Sequence, residues 1–396
     1  MIQAKSVPLT DPASLKPASF AEASSAVPAP SGKSQRFFHL DALRAALMFW
    51  GILVHASTVE HSTFFRAIAL VSGLVRMEAF FVISGFLAYM LLKKYGAKVT
   101  VRKRVLAIGL PFVAALLLLN PLTNWLVYNY HNVPIPFADY LAGKGAAHAA
   151  GPMNWHLHLW FLIALLVYSL LAPLLGKAVD HCLRLSWAGE RITYQEGVFL
   201  WTGIAMAVAC LGARVAFEIV KPALPPDAHY VVRSVGNFLP FYALGMVLFA
   251  SPAVREVFSK VHWTQTILSC LLLAGAHWLG GENPSRFTEI MILAAQTYVA
   301  VCFSSLLFWL AGKWVRTENP VARSLSDSAY SVYLFHFLFL YLFAFLLRPW
   351  IANPVALLAV ISAATFLSTL CLHRFVIRRI PVLELLFNGK LPRRAQ

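Results

Sequence analysis

The chain has 396 residues, 59% of them hydrophobic and 13% charged, with a mean hydropathy of +0.67. Soluble domains carry roughly 25% charged residues, so the composition excludes an ordinary soluble enzyme. A net charge of +16 would suit nucleic acid in a soluble protein, but Lys and Arg lie between apolar runs, where orientation signals belong, and no nucleic-acid partner is expected.

Residues 1–35 are rich in Ala, Ser and Pro and lack an apolar core of their own. A disordered cytoplasmic tail is expected there rather than a cleavable signal. Apolar runs then recur at 40–58, 67–92, 105–127, 157–176, 197–219, 234–250, 264–280, 288–311, 328–347 and 351–372. Each approaches the ~20 residues that carry a helix across ~30 Å of hydrocarbon. Backbone polar groups in lipid must be satisfied internally, so these segments are helices. The expected fold is all-α and polytopic, with about ten transmembrane helices and the lipid bilayer as its surroundings.

Placing the N-terminus in the cytoplasm puts 24 Lys and Arg on that side against 6 on the other. By the positive-inside rule both termini are cytoplasmic, and an even number of spans agrees. The longest outer loop, about 129–156, leaves no room for a separate extracytoplasmic domain. The five cysteines show no CxxC spacing and read as buried small hydrophobes.

Ionisable residues inside spans are candidates for function. In the first span Asp41, Arg44, Met48, Gly51 and His55 recur every three or four residues. Arg44 and His55, eleven residues apart, return to nearly the same helical face about 16 Å along the axis. A snorkelling Arg44 and a His55 that caps a neighbouring helix are the structural alternative.

The second span carries Arg76 and Glu78, two residues apart and facing different ways, then Ser84-Gly85, a small pair suited to close helix packing. Lys93, Lys94, Lys98, Arg102, Lys103 and Arg104 follow. They can orient the chain and meet anionic lipid, or bind the phosphates of a large anionic donor.

At 155–161, Trp155-His156-Leu157-His158-Leu159-Trp160-Phe161 places His158 among interfacial aromatics. No Cys, His or carboxylate set with ligand spacing accompanies it, so no metal is expected. Arg214 and Glu218 are four apart and can pair. His336 falls near the middle of the ninth span, after Tyr330-Ser331.

Taken together, these blocks resemble the membrane acyltransferase family 3. Arg44, ten residues, then His55 resembles the first-helix Arg-x10-His of that family. Phe80–Phe86, Leu159–Leu162, Phe238–Gly245 and Tyr330–His336 resemble its later blocks, in the family's order. The ending Arg379–Lys390 resembles the branch that succinylates osmoregulated periplasmic glucans. The chain departs from the family's Arg-x-x-Arg after the second span, reading Arg102-Lys103-Arg104-Val105.

The resemblance implies a membrane acyltransferase domain over 36–376, followed by a cytoplasmic tail at 377–396, in a bacterial inner membrane. It implies an acyl-CoA co-substrate with no bound cofactor: succinyl-CoA in the glucan branch, acetyl the common group elsewhere. The acceptor is then a periplasmic glucan hydroxyl, and the glucan synthesis machinery a partner. On this reading His55 is the general base, or carries the acyl group covalently. Arg44, the other half of the catalytic pair, keeps the CoA phosphates near it together with Arg102, Lys103 and Arg104, the donor-binding set. His336, His158, Glu78 and Asp41 are candidates to hold the acceptor, stabilise the oxyanion or orient a basic partner. A dicarboxylic acyl group needs a cation near the thioester, which Arg76 or Arg214 can supply. The alternatives are a secondary transporter or flippase for a glycan or polyanion, and an inert assembly partner. The chain shows neither an internal repeat nor paired broken helices to favour transport.

Overall fold

The structure, a computed structural model, describes residues 37–144, 155–185, 195–315, 317 and 320–390. The expected tail at 1–35 lies outside these residues, as do 391–396. Among the described residues every regular element is helical. In chain order they are α1 (Phe38–Ala56), α2 (Thr63–Gly73), α3 (Arg76–Tyr95), α4 (Ala97–Ala114), α5 (Asn120–His131), α6 (Phe137–Leu141), α7 (Trp160–Leu185), α8 (Gln195–Val220), α9 (Pro226–Ala250), α10 (Pro252–Phe258), α11 (Trp263–Gly280), α12 (Arg286–Trp314), α13 (Pro320–Leu347), α14 (Pro354–Cys371) and α15 (Pro381–Asn388).

Among the described residues eight helical stretches are long and apolar enough to cross a bilayer, so the chain is an all-α, multi-pass membrane protein. α1 and α11 coincide with the first and seventh expected segments but fall outside that set. Asp41, Arg44 and His55 lower the hydropathy of α1, and Gln265 and His277 that of α11. Large apolar side chains face outward along the bundle, among them Leu70, Leu117, Leu170 and Ile219, as a lipid-facing surface requires. Trp278, Trp314 and Trp350 stand exposed near helix ends, where an aromatic belt belongs. Cys210 and Cys302 are buried as expected, whereas Cys182 and Cys371 are exposed on the outside of the bundle.

The expected second segment, 67–92, is not one helix. α2 ends at Gly73, Leu74 and Val75 turn the chain, and α3 begins at Arg76 with Val75 as its uncapped N-cap. Long apolar runs flank this break on both sides, so a window average passes over the polar residues Ser72, Arg76 and Glu78 around it.

α3 and α9 pack through reciprocal glycines. A Cβ on Gly85 would fall on the carbonyl of Tyr242, and one on Gly245 on the carbonyl of Val82. Without a hydrophobic drive between helices in lipid, such backbone contact is what holds them together.

A π-helical turn at Ala115–Leu119 joins α4 to α5, and a second at Leu372–Ile377 ends α14. Beyond it the chain folds back as α15. Ser331 Oγ donates to Asn388 Oδ1 at 2.8 Å and bonds His373 Nδ1 at 2.8 Å, tying α15 to α13 and α14. Gly389 then takes φ +62, against the backbone of Ala107, where a Cβ has no room.

Candidate active site

The polar stripe of α1 faces inward rather than to lipid. Two cavities lie along that stripe. The smaller, about 270 Å³, is lined by Arg44, Arg104, Lys390, Ser326, Asp327 and Tyr330, among others. The larger, about 540 Å³, is lined by Gly51, His55, Arg76, Glu78, His158 and His336, among others. Met48, Phe80 and Phe161 line both. Phe80 and Phe161 meet edge to face, with centroids 4.7 Å apart.

In the smaller cavity Arg44 Nη2 donates to Ser326 Oγ at 3.3 Å and pairs with Asp41 at 3.6 Å. Asp41 therefore orients Arg44. Of the basic triplet, Arg104 alone enters the cavity, with Nε donating to Ser169 Oγ at 3.0 Å. Lys103 lies over the Tyr95 ring at 4.1 Å, and Arg102 is exposed. Three consecutive helical residues point about 100° apart, so their adjacency in sequence does not make them one site. Lys390, which the sequence reading assigned only to a tail, is the third cation of this cavity.

In the larger cavity three histidines from distant segments converge. The ring centroids of His55 and His336 are 5.1 Å apart, those of His158 and His336 4.8 Å, and those of His55 and His158 6.4 Å. His336 Nδ1 donates to the Tyr333 carbonyl at 2.6 Å, which fixes the tautomer and leaves Nε2 a buried acceptor with no protein partner. His158 stacks on Phe337 at 5.3 Å, and neither of its ring nitrogens has a hydrogen bond. Tyr333 OH donates to the His158 carbonyl at 2.7 Å.

His158 is aimed by strained backbone: Leu157 adopts φ +44, the left-handed region that non-glycine residues avoid. His156 Nδ1 donates to the Leu157 carbonyl at 2.9 Å and braces that turn. Burial pushes the His156 imidazole below its ordinary value, so it stays neutral in this role. Glu78 lines the same cavity with Oε2 buried and unpartnered. Among the described residues, no group of three His, Cys, Asp or Glu side chains is placed to hold a metal ion.

Sequence reading identified His55, His158, His336, Glu78, Arg44, Asp41 and Arg104, but not that they form two chambers. It assigned no site role to Tyr333 or to the amides Asn237 and Gln296, which also line the larger cavity. Arg214, expected to pair with Glu218, does so at 3.2 Å.

The acyltransferase domain model matches residues 37–373, nearly the whole helical bundle. The chain belongs to this acyltransferase family. It is a membrane acyltransferase. Among curated proteins it is similar to glucans biosynthesis protein C of Escherichia coli K12, at 26% identity over 90% of this chain and 95% of the relative. The same protein from Escherichia coli O81 and O157:H7 is 25% identical over the same shares. No solved structure matches the chain.

Proposed function

We propose that the protein is an acyl-CoA-dependent O-acyltransferase of the bacterial inner membrane. It takes an acyl group, succinyl in our reading, from the cytoplasmic face and esterifies hydroxyls of a periplasmic glucan, in association with the glucan synthesis machinery. The observation that carries this reading is the pair of cavities end to end along α1. One is cationic and lies toward the Arg44 end; the other holds the histidines and lies toward the His55 end.

A nucleotide's phosphates are too costly to carry into lipid. Arg44, Arg104 and Lys390 hold them by charge-assisted contacts. The slender thiol arm passes Met48, Phe80 and Phe161 and delivers the thioester to His55, about 16 Å along α1. The glucan hydroxyl enters the larger cavity from the opposite side. His55 takes its proton as the oxygen attacks the thioester carbon. The C–O ester bond forms and the C–S bond breaks. The proton then passes from His55 to the leaving sulfur, and free CoA thiol departs. With its lone pair at Nε2, His336 suits holding the acceptor hydroxyl. The Asn237 and Gln296 amides are suited to the oxyanion.

The name of the similar Escherichia coli proteins supports glucan as the acceptor class. The charge asymmetry of the loops supports a cytoplasmic donor side. Reconstituted vesicles test the reading against transport. Glucan outside and thioester inside should give esterified glucan and stoichiometric free thiol. Movement of unmodified substrate without thioester loss would make the protein a transporter.

A further inference from the structure

Three arginines line the larger cavity, and only one is an enclosed cation without a matching anion. Arg214 is paired with Glu218. Arg233 is exposed. Arg76 is enclosed by the bundle, its Nε donating to Ser72 Oγ at 2.8 Å, and no described carboxylate makes an ion pair with it. Glu78 lines the same cavity and acts on Arg76 only at longer range. An enclosed guanidinium left in this way is costly unless an anion arrives to match it.

Where that anion would sit is set by two further features. The Nη1 atom of Arg76 lies against Gly51, 2.9 Å from where a Cβ would stand, so the absence of a side chain there is what admits the guanidinium. Gly51 is one helical turn, about 6 Å, from His55 on the same face of α1. The break between α2 and α3 also makes Arg76 the first residue of a 20-residue helix whose N-terminus has no side-chain cap. Uncapped N–H groups and the positive end of the helix dipole therefore lie beside the guanidinium. Arg76, Met77 and Glu78 of that first turn all line the cavity.

We propose that Arg76, with the first turn of α3, binds a carboxylate at the far end of the transferred acyl group and so makes the enzyme select a dicarboxylic donor. The inference rests on the acyltransferase reading above and assigns its specificity to one residue. An extended four-carbon chain spans roughly 4 Å between its end carbons. With a guanidinium–carboxylate contact of about 2.8 Å, a thioester carbon near His55 puts such a carboxylate at Arg76. A neutral acyl group of the same length leaves the guanidinium unmatched, which is how a site built for a charge rejects the analogue lacking it.

The test compares succinyl-CoA with butyryl-CoA, its neutral counterpart in length, in wild type, Arg76→Lys and Arg76→Gln. The wild type should prefer succinyl-CoA in kcat/KM by about 100-fold. Arg76→Gln should lose that preference, chiefly by losing the succinyl reaction, with butyryl-CoA turnover within a few-fold of wild type. Arg76→Lys should keep part of it. Equal loss with both donors would make Arg76 structural and overturn the proposal. So would an unchanged preference in Arg76→Gln, or a wild type indifferent between the donors.

If the wild type turned over neither donor, the acyltransferase reading would fail separately. Thermal shift with monomethyl succinate, against dimethyl succinate as the uncharged control, then decides. Stabilisation by the monoester alone, absent in Arg76→Gln, keeps the carboxylate site. An equal shift in wild type and variant removes it.

Discussion

His55 on α1 and His336 on α13 face each other with ring centroids 5.1 Å apart, on helices that run in the same direction. Arg44 meets Ser326 eleven residues before His55 and ten before His336. The two helices therefore keep register from the cationic cavity to the histidine cluster. His336 spends its Nδ1 proton on the Tyr333 carbonyl, so what it offers the cavity is a lone pair.

His336→Phe should lower kcat by about 100-fold or more, the scale of a lost proton-handling partner, while donor KM changes little. His336→Gln, which can still accept a hydrogen bond, should recover part of the loss. Steady-state kinetics check this; equal rates for Phe and Gln would mean that the lone pair is not used.

The basic triplet should separate by position. Arg104→Gln removes a cation from the smaller cavity and should raise donor KM by about 10-fold or more, the value of one charge-assisted contact. Arg102→Gln, on an exposed side chain, should leave donor KM within about twofold. Matching increases for the two would assign the triplet to general surface attraction.

Lys390 should behave like Arg104, because the fold of α15 brings it into the same cavity. Lys390→Gln should raise donor KM without moving the thermal midpoint. Gly389→Val should do both, since a side chain there meets the Ala107 backbone at φ +62. A Gly389→Val protein with normal donor KM would detach the C-terminal segment from donor binding.

The glycine contact between α3 and α9 should dominate packing. Gly85→Leu should destabilise the protein by about 1–3 kcal/mol or more, the usual cost of overpacking, and lower the unfolding temperature in detergent. The Gly85→Leu, Gly245→Leu double variant should cost less than the sum of the two, because both relieve one contact.

What the sequence revealed followed helical period. The Asp41–His55 stripe was legible because one helix repeats every 3.6 residues, and the structure turns that face to both cavities. The helical class was legible because lipid permits little else. The break before Arg76 was not, because the apolar runs on either side outweigh Ser72, Arg76 and Glu78 in any window long enough to span a bilayer. The separation of Arg104 from Arg102 and Lys103 was not, because only tertiary packing decides which face of α4 meets α7. Lys390 entered the site through the fold-back of α15, tied at Ser331 and Asn388, a contact across 57 residues that no local pattern carries.

The measurement that tests the account most directly is thiol release from succinyl-CoA and acetyl-CoA by purified protein, with and without periplasmic glucan, beside His55→Ala. The account predicts glucan-dependent release with succinyl-CoA that falls at least 100-fold in His55→Ala, in a variant with unchanged detergent behaviour. Release by His55→Ala at the wild-type rate would contradict it.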